Sequence, residues 1–199
     1  MPRFLLHASV LALAFTAPLM AAEPVSRTQV LDAIRVFDAN ASGNVLAGKT
    51  ARDSCDAVAQ ASNTILRYSL ESDDVVVDLG PNSVPWCDVK KGISNLSNSG
   101  ERGILLAAYL SGTVKAQLES GRQDPNPYSG WVVMLKLYHT IRIREGVRIP
   151  EVDALMAHQA DGTLEAYAAE AVQRSRDNLR QAYGQPASSK QIVTASAQP

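Results

Sequence analysis

One segment leaves this chain little choice of architecture. From Glu101 to Ser120 the residues Ile104, Ala107, Ala108, Ser111, Val114 and Leu118 recur at helical spacing. Leu105, Leu106 and Leu110 widen that stripe until most of the circumference is apolar. A helix so apolar has to be covered on most sides, which predicts a central, largely buried helix. Gly112 within it costs about 1 kcal/mol of helix propensity relative to alanine. Flanked by Ser111 and near Ala108, it is expected to let a neighbouring helix approach closely.

The surrounding segments carry narrower stripes. Ser26 and Gln29 form a capping box that opens a helix with Val30, Leu31, Ile34 and Phe37 on one side, ended by Gly43. Thr50 and Asp53 repeat the box. Behind it Cys55, Val58, Ala59, Ser62, Ile65, Leu66 and Leu70 run along one face. After the break at Gly121 and Asp124-Pro125-Asn126-Pro127, a helix from near Ser129 directs Trp131, Met134, Leu135, Tyr138 and Ile141 inward. Pro150 fits the first position of a short helix bearing Val152, Leu155 and Met156, stopped at Asp161-Gly162. Thr163 starts another, with Leu164, Tyr167, Ala171, Val172 and Leu179. Between the second and third helices, Val75-Val76-Val77-Asp78-Leu79 is β-branched and short, bounded by turn formers, and reads as one extended segment with no partner strand. The expected fold is mainly α: a single compact domain over residues 23–183 with about five or six helices and one extended segment. From Gly184 the Ser/Ala/Gln/Pro-rich tail, 184–199, lacks periodicity and is expected to be disordered.

Residues 1–22 are a different kind of segment. Arg3 precedes an apolar run from Phe4 to Phe15, too short to span a bilayer; Pro18 breaks it, and Ala21-Ala22 offers a cleavage site before Glu23. This is the pattern of a secretory signal peptide cut after Ala22. Its removal takes 22 of 199 residues and one of the 19 Lys and Arg. The remaining 177 residues then hold 18 basic against 20 acidic side chains, a formal charge of −2. Such a balance gives no reason to expect nucleic acid as partner, and no later segment is apolar for long enough to anchor the chain in a membrane. In an oxidising compartment Cys55 and Cys87 read as one disulfide, tying the second helix to the loop after the extended segment. Closing a loop of about 32 residues would contribute roughly 3–4 kcal/mol.

Chemical motifs are sparse. Residues from Asp38 onward are similar to a calcium-binding EF-hand loop, with Asp38, Asn40, Ser42 and Gly43 in register. Lys49 stands where the bidentate Glu is needed and Leu46 where an oxygen donor is, so no calcium site is expected. His139 and His158 fall on different helices with no ligand-spaced Cys or acid, so no metal or other cofactor is expected. No nucleophile elbow or phosphate-cradling glycine loop is present. Lys136, Arg142, Arg144 and Arg148 cluster where a helix ends, as the macrodipole favours.

Two functional expectations follow. The first is a soluble exported helical protein, periplasmic or secreted, that acts by binding another envelope protein, in the manner of an inhibitor or immunity protein. Trp86 and Asp88 on the disulfide-pinned loop, and Tyr128 ahead of its helix, are its candidate contacts. The second is an envelope hydrolase using paired carboxylates, for which Asp74, Asp78 and Asp88 are the candidates.

Overall fold

A computed structural model describes residues 23–41, 49–87 and 100–183, with the side chains of 49–54 and of Tyr183 left undescribed. The leader, the EF-hand-like loop after Ala41, Asp88 and the tail from Gly184 therefore lie outside the described residues, as do the side chains of the second capping box. The described residues form six helices and no strand: α1 (Arg27–Ala41), α2 (Lys49–Glu71), α3 (Gly100–Ser120), α4 (Tyr128–Glu145), α5 (Pro150–Ala160) and α6 (Leu164–Tyr183). None of these helices is long and apolar enough to cross a membrane.

The first capping box forms reciprocally. The Ser26 backbone N–H donates to Gln29 Oε1 at 2.7 Å, and the Gln29 N–H donates to Ser26 Oγ at 3.2 Å. Val30, Ile34 and Phe37 then point into the core. Every residue of α3 from Leu105 to Val114 is buried, as its broad apolar surface requires. α3 packs most extensively on α4 and also on α2; α1 lies along α2, and α5 and α6 pack on α4. The α3–α4 packing uses two glycines. A Cβ on Gly112 would lie 2.6 Å from the Ser129 carbonyl oxygen, and one on Gly130 would lie 2.4 Å from Thr113 Oγ1. The predicted close approach at Gly112 is therefore made by α4. Its C-terminus is closed by Gly146 in the left-handed region (φ 67°), whose N–H reaches the Arg142 carbonyl.

Residues 75–79 pair with no strand. Their partner is a side chain: buried Gln117 of α3 accepts the Val76 N–H at 2.9 Å and donates to the Val76 carbonyl at 2.7 Å. One carboxamide thus supplies both bonds that a neighbouring peptide group would supply. The following turn is gathered by Asp78, whose carboxylate accepts from the Gly80 N–H at 2.7 Å, Ser83 Oγ at 2.7 Å and Ser175 Oγ at 2.9 Å. The Asp78 carbonyl accepts from the Tyr109 hydroxyl at 2.9 Å, and buried Trp131 donates its indole N–H to the Ser83 carbonyl at 2.7 Å.

That anchoring corrects the expected disulfide. Cys55 and Cys87 are free thiols too far apart to bridge. The loop bearing Cys87 is fixed by α3 and α4 instead of by α2: Arg102 donates to the Trp86 carbonyl, and Cys87 Sγ is 4.0 Å from the Arg102 carbonyl oxygen. Cys55 faces outward from α2. Two members of the expected stripes are also displaced. Leu70 and Leu179 are 61% and 58% exposed, each near the C-terminal end of its helix.

Candidate functional site

The acids nominated for catalysis do not form a pair. Asp78 has its carboxylate occupied by the three donors described above, and Asp74 accepts the Tyr68 hydroxyl at 2.8 Å while its own N–H caps back to Ser72 Oγ. Neither lines either of the two cavities described below. These are the bonds of a turn, the ordinary occupation of Asp beside Ser and Gly.

Trp86, nominated as a contact, is fully buried and meets Tyr109 edge to face, with ring centroids 6.0 Å apart. An aromatic followed by Cys and preceded by Pro on a loop looked like a presented side chain. The loop in fact folds its indole into the core, where the area gained outweighs an indole N–H left without a partner. Cys87 beside it is held protonated: burial pushes its thiol up to about 11, against the opposing pull of Arg102. Tyr109 is shifted in the same direction, well above its ordinary value, by burial first and the Asp78 charge second; the nearby hydroxyls of Thr113 and Ser83 oppose the shift without reversing it.

The basic cluster is likewise committed to the scaffold. Arg142 and Arg148 both reach Asp153, at 3.1 and 3.2 Å, and the Tyr138 hydroxyl donates to the same carboxylate at 3.0 Å. Tyr138 also accepts the Ile149 N–H, so one acid and one phenol lock the α4–α5 connection. Lys136 faces Asp38 across α1 and α4, where burial raises the Asp38 carboxyl above its ordinary value despite Lys115 and Lys136. His158 stacks on Tyr167 (centroids 4.1 Å apart) and bonds through Nδ1 to Thr163 Oγ1 at 2.9 Å, while Arg174 covers the same Tyr167 ring. His139 is exposed.

Among the described residues, two concavities bear on the nominated contacts. The larger, about 500 Å³, lies among the C-terminal end of α1, the N-terminal half of α2, the start of α3 and the last turns of α4. Val58, Ala59, Ile104, Leu137 and Ile141 make its walls apolar, and Asp56, Glu101, Glu145 and Arg144 stand around it. Cys55 also lines it. The smaller, about 310 Å³, lies where the break before α4 meets α3, and is lined by Thr113, Ser120, Arg122, Asp124, Asn126, Tyr128 and Ser129 among others. Tyr128 is half-buried there, so of the three nominated contacts it alone lies at a described cavity. The lining of both depends on helices distant in sequence. Only the Asp124-Pro125-Asn126-Pro127 break signalled the smaller one.

Comparison of the chain with family models, with characterised proteins and with solved structures finds no match.

Proposed function

We propose that the chain is exported by its leader and acts in the cell envelope by binding another protein, as an inhibitor or immunity-type protein does. The observation that carries this reading is the larger groove. Its apolar walls suit a partner's apolar side chains, and its volume is within the range of ordinary ligand pockets. Three acids around it against one Arg favour an apolar segment flanked by basic residues. A hydrolase using paired carboxylates has less support, since Asp74 and Asp78 already hold up the turn between α2 and α3.

Two measurements test it. Expressed with its leader in a bacterial host, the chain is expected in the periplasm with Glu23 at its N-terminus; retention in the cytoplasm with Met1 intact overturns export. Immobilised 23–199 is expected to recover one envelope protein in fixed ratio from an extract of the source cells. Ile141→Asp, which places a charge in the groove wall, should abolish that capture at unchanged melting temperature. Equal capture by both forms, or by neither, overturns the groove as the interface.

A further inference from the structure

The extended segment 75–79 is bonded along one edge only. Successive residues of an extended chain turn their N–H and C=O groups to opposite sides. Both groups of Val76 are taken by the Gln117 carboxamide, at 2.9 and 2.7 Å, and the Asp78 carbonyl accepts from the Tyr109 hydroxyl at 2.9 Å. Val76 and Asp78 thus turn their peptide groups to α3, and Val75, Val77 and Leu79 turn theirs away from it. Among the described residues, no donor or acceptor meets the N–H or C=O of these last residues.

The stretch has the β-branched sequence of a strand and only one side of a ladder. Gln117 and Tyr109 hold it extended without a neighbouring strand, so its outer edge is fixed before anything pairs with it. An unpaired edge of this kind is the template on which a further strand is added.

Apolar surface and charge decide what is added. Val76 is 43% exposed beside the edge. Asp73 and Asp74 are exposed at its N-terminal end, and neither forms an ion pair among the described residues. The Asp74 carboxylate meets only the neutral Tyr68 hydroxyl; Asp73 is held through its backbone carbonyl, by Gln123, and not through its side chain. A second copy of this chain, paired antiparallel about Val77, would set Pro81 and Gly80 against these acids and leave them unmatched. A strand ending in Lys or Arg matches them.

We infer that this edge binds an extended segment of a partner protein, apolar and β-branched in its middle and basic at its C-terminal end. It adds antiparallel to 75–79, the more stable of the two pairings. Its peptide groups bond those of Val75, Val77 and Leu79, an apolar side chain packs on Val76, and its basic end reaches Asp73 and Asp74. None of these residues lines the larger groove, so the inference does not depend on that groove.

The probe is the peptide acetyl-Val-Thr-Val-Thr-Val-Lys-Lys-amide, titrated into isotope-labelled 23–199, with amide exchange read by NMR. In the free protein the Val76 proton, bonded to Gln117, is expected to exchange slowly, and those of Val77 and Leu79 quickly. The peptide is expected to bind with Kd below about 1 mM and, at saturation, to slow Val77 and Leu79 at least about tenfold. N-methylation of alternate peptide amides should abolish binding when it falls on the paired edge and spare it when it falls on the other. Asp73→Lys, at an exposed side chain that bonds nothing, should weaken binding at least about tenfold at unchanged melting temperature. The same peptide with Glu in place of its lysines should not bind. Absence of binding overturns the inference, as does binding indifferent to the placement of the N-methyl groups or to Asp73→Lys. Slow exchange at Val77 and Leu79 without peptide also overturns it; if that protection rises with protein concentration, the edge belongs to a second copy of the chain.

Discussion

Asp78 shows how a residue can look catalytic in sequence and be architectural in the fold. It lies in an acid-rich stretch with Asp73 and Asp74, beside glycine and serine, and that composition suits either a turn or an acid–base pair. What decides is a partner invisible to local reading, Ser175, 97 residues away on α6, together with Ser83 and the Gly80 N–H. Three donors converge on one carboxylate, and deleting it leaves them unsatisfied in a half-buried position. Asp78→Ala is expected to destabilise the domain by about 2–4 kcal/mol, and Asp74→Ala, which loses one bond from Tyr68 at an exposed acid, by about 1 kcal/mol. Urea titration of the two variants checks the difference; equal, small effects would mean that the Asp78 cluster contributes nothing to stability. Trp86 follows the same logic. A loop tryptophan is ambiguous until one knows which helix lies beneath it, and here Tyr109 of α3 does.

At the scale of elements the sequence was informative where structure is local. Stripes at three-to-four spacing, the Ser26–Gln29 box, Pro150 and Gly162 place the helices, because each of these signals acts within one or two turns. Legibility ended where a partner had to come from elsewhere. The extended segment is satisfied by the Gln117 side chain, not by a strand, and no periodicity encodes a single carboxamide 41 residues away. The expected disulfide failed for the same reason, since even cysteine number states a possibility and only the fold sets the distance. Gly112 is the exception: a costly glycine in an otherwise strong helix announced a close neighbour. Its replacement by alanine would gain about 1 kcal/mol of helix propensity. Against this, the new Cβ would lie 2.6 Å from the Ser129 carbonyl and 2.8 Å from a Val133 methyl. A backbone carbonyl cannot swing aside as a side-chain end can, so α3 and α4 must separate. The net loss for Gly112→Ala is expected to be about 2 kcal/mol, read from its denaturation midpoint; a stabilised variant would show that the two helices have room between them.

For the whole molecule, the groups with raised proton affinity act in one direction. Burial is the first cause for each of Tyr68, Tyr109, Tyr138 and Cys87, and it favours the neutral form of all four. A group whose folded value lies above its unfolded value keeps its proton longer in the native state. Unfolding then releases protons, and stability falls as pH rises. The contribution is fully present below pH 9.0, the ordinary value of the thiol, and Cys87 surrenders its share between there and about 11. The tyrosines begin to act above their ordinary value of 10.0 and continue beyond. Midpoints in urea are therefore expected to be level from pH 7 to 9 and to fall steeply above about pH 10. The share of phenolate absorbance due to Tyr68, Tyr109 and Tyr138, three of the six tyrosines, should rise with unfolding and not before it, because these three are buried in the native domain. Tyr109→Phe tests the assignment. It forfeits the bond to the Asp78 carbonyl and so lowers stability at neutral pH, but it also removes one titrating group and should flatten the alkaline decline. A variant whose stability falls with pH as steeply as that of the parent protein would show that the buried phenol of Tyr109 does not link folding to alkali.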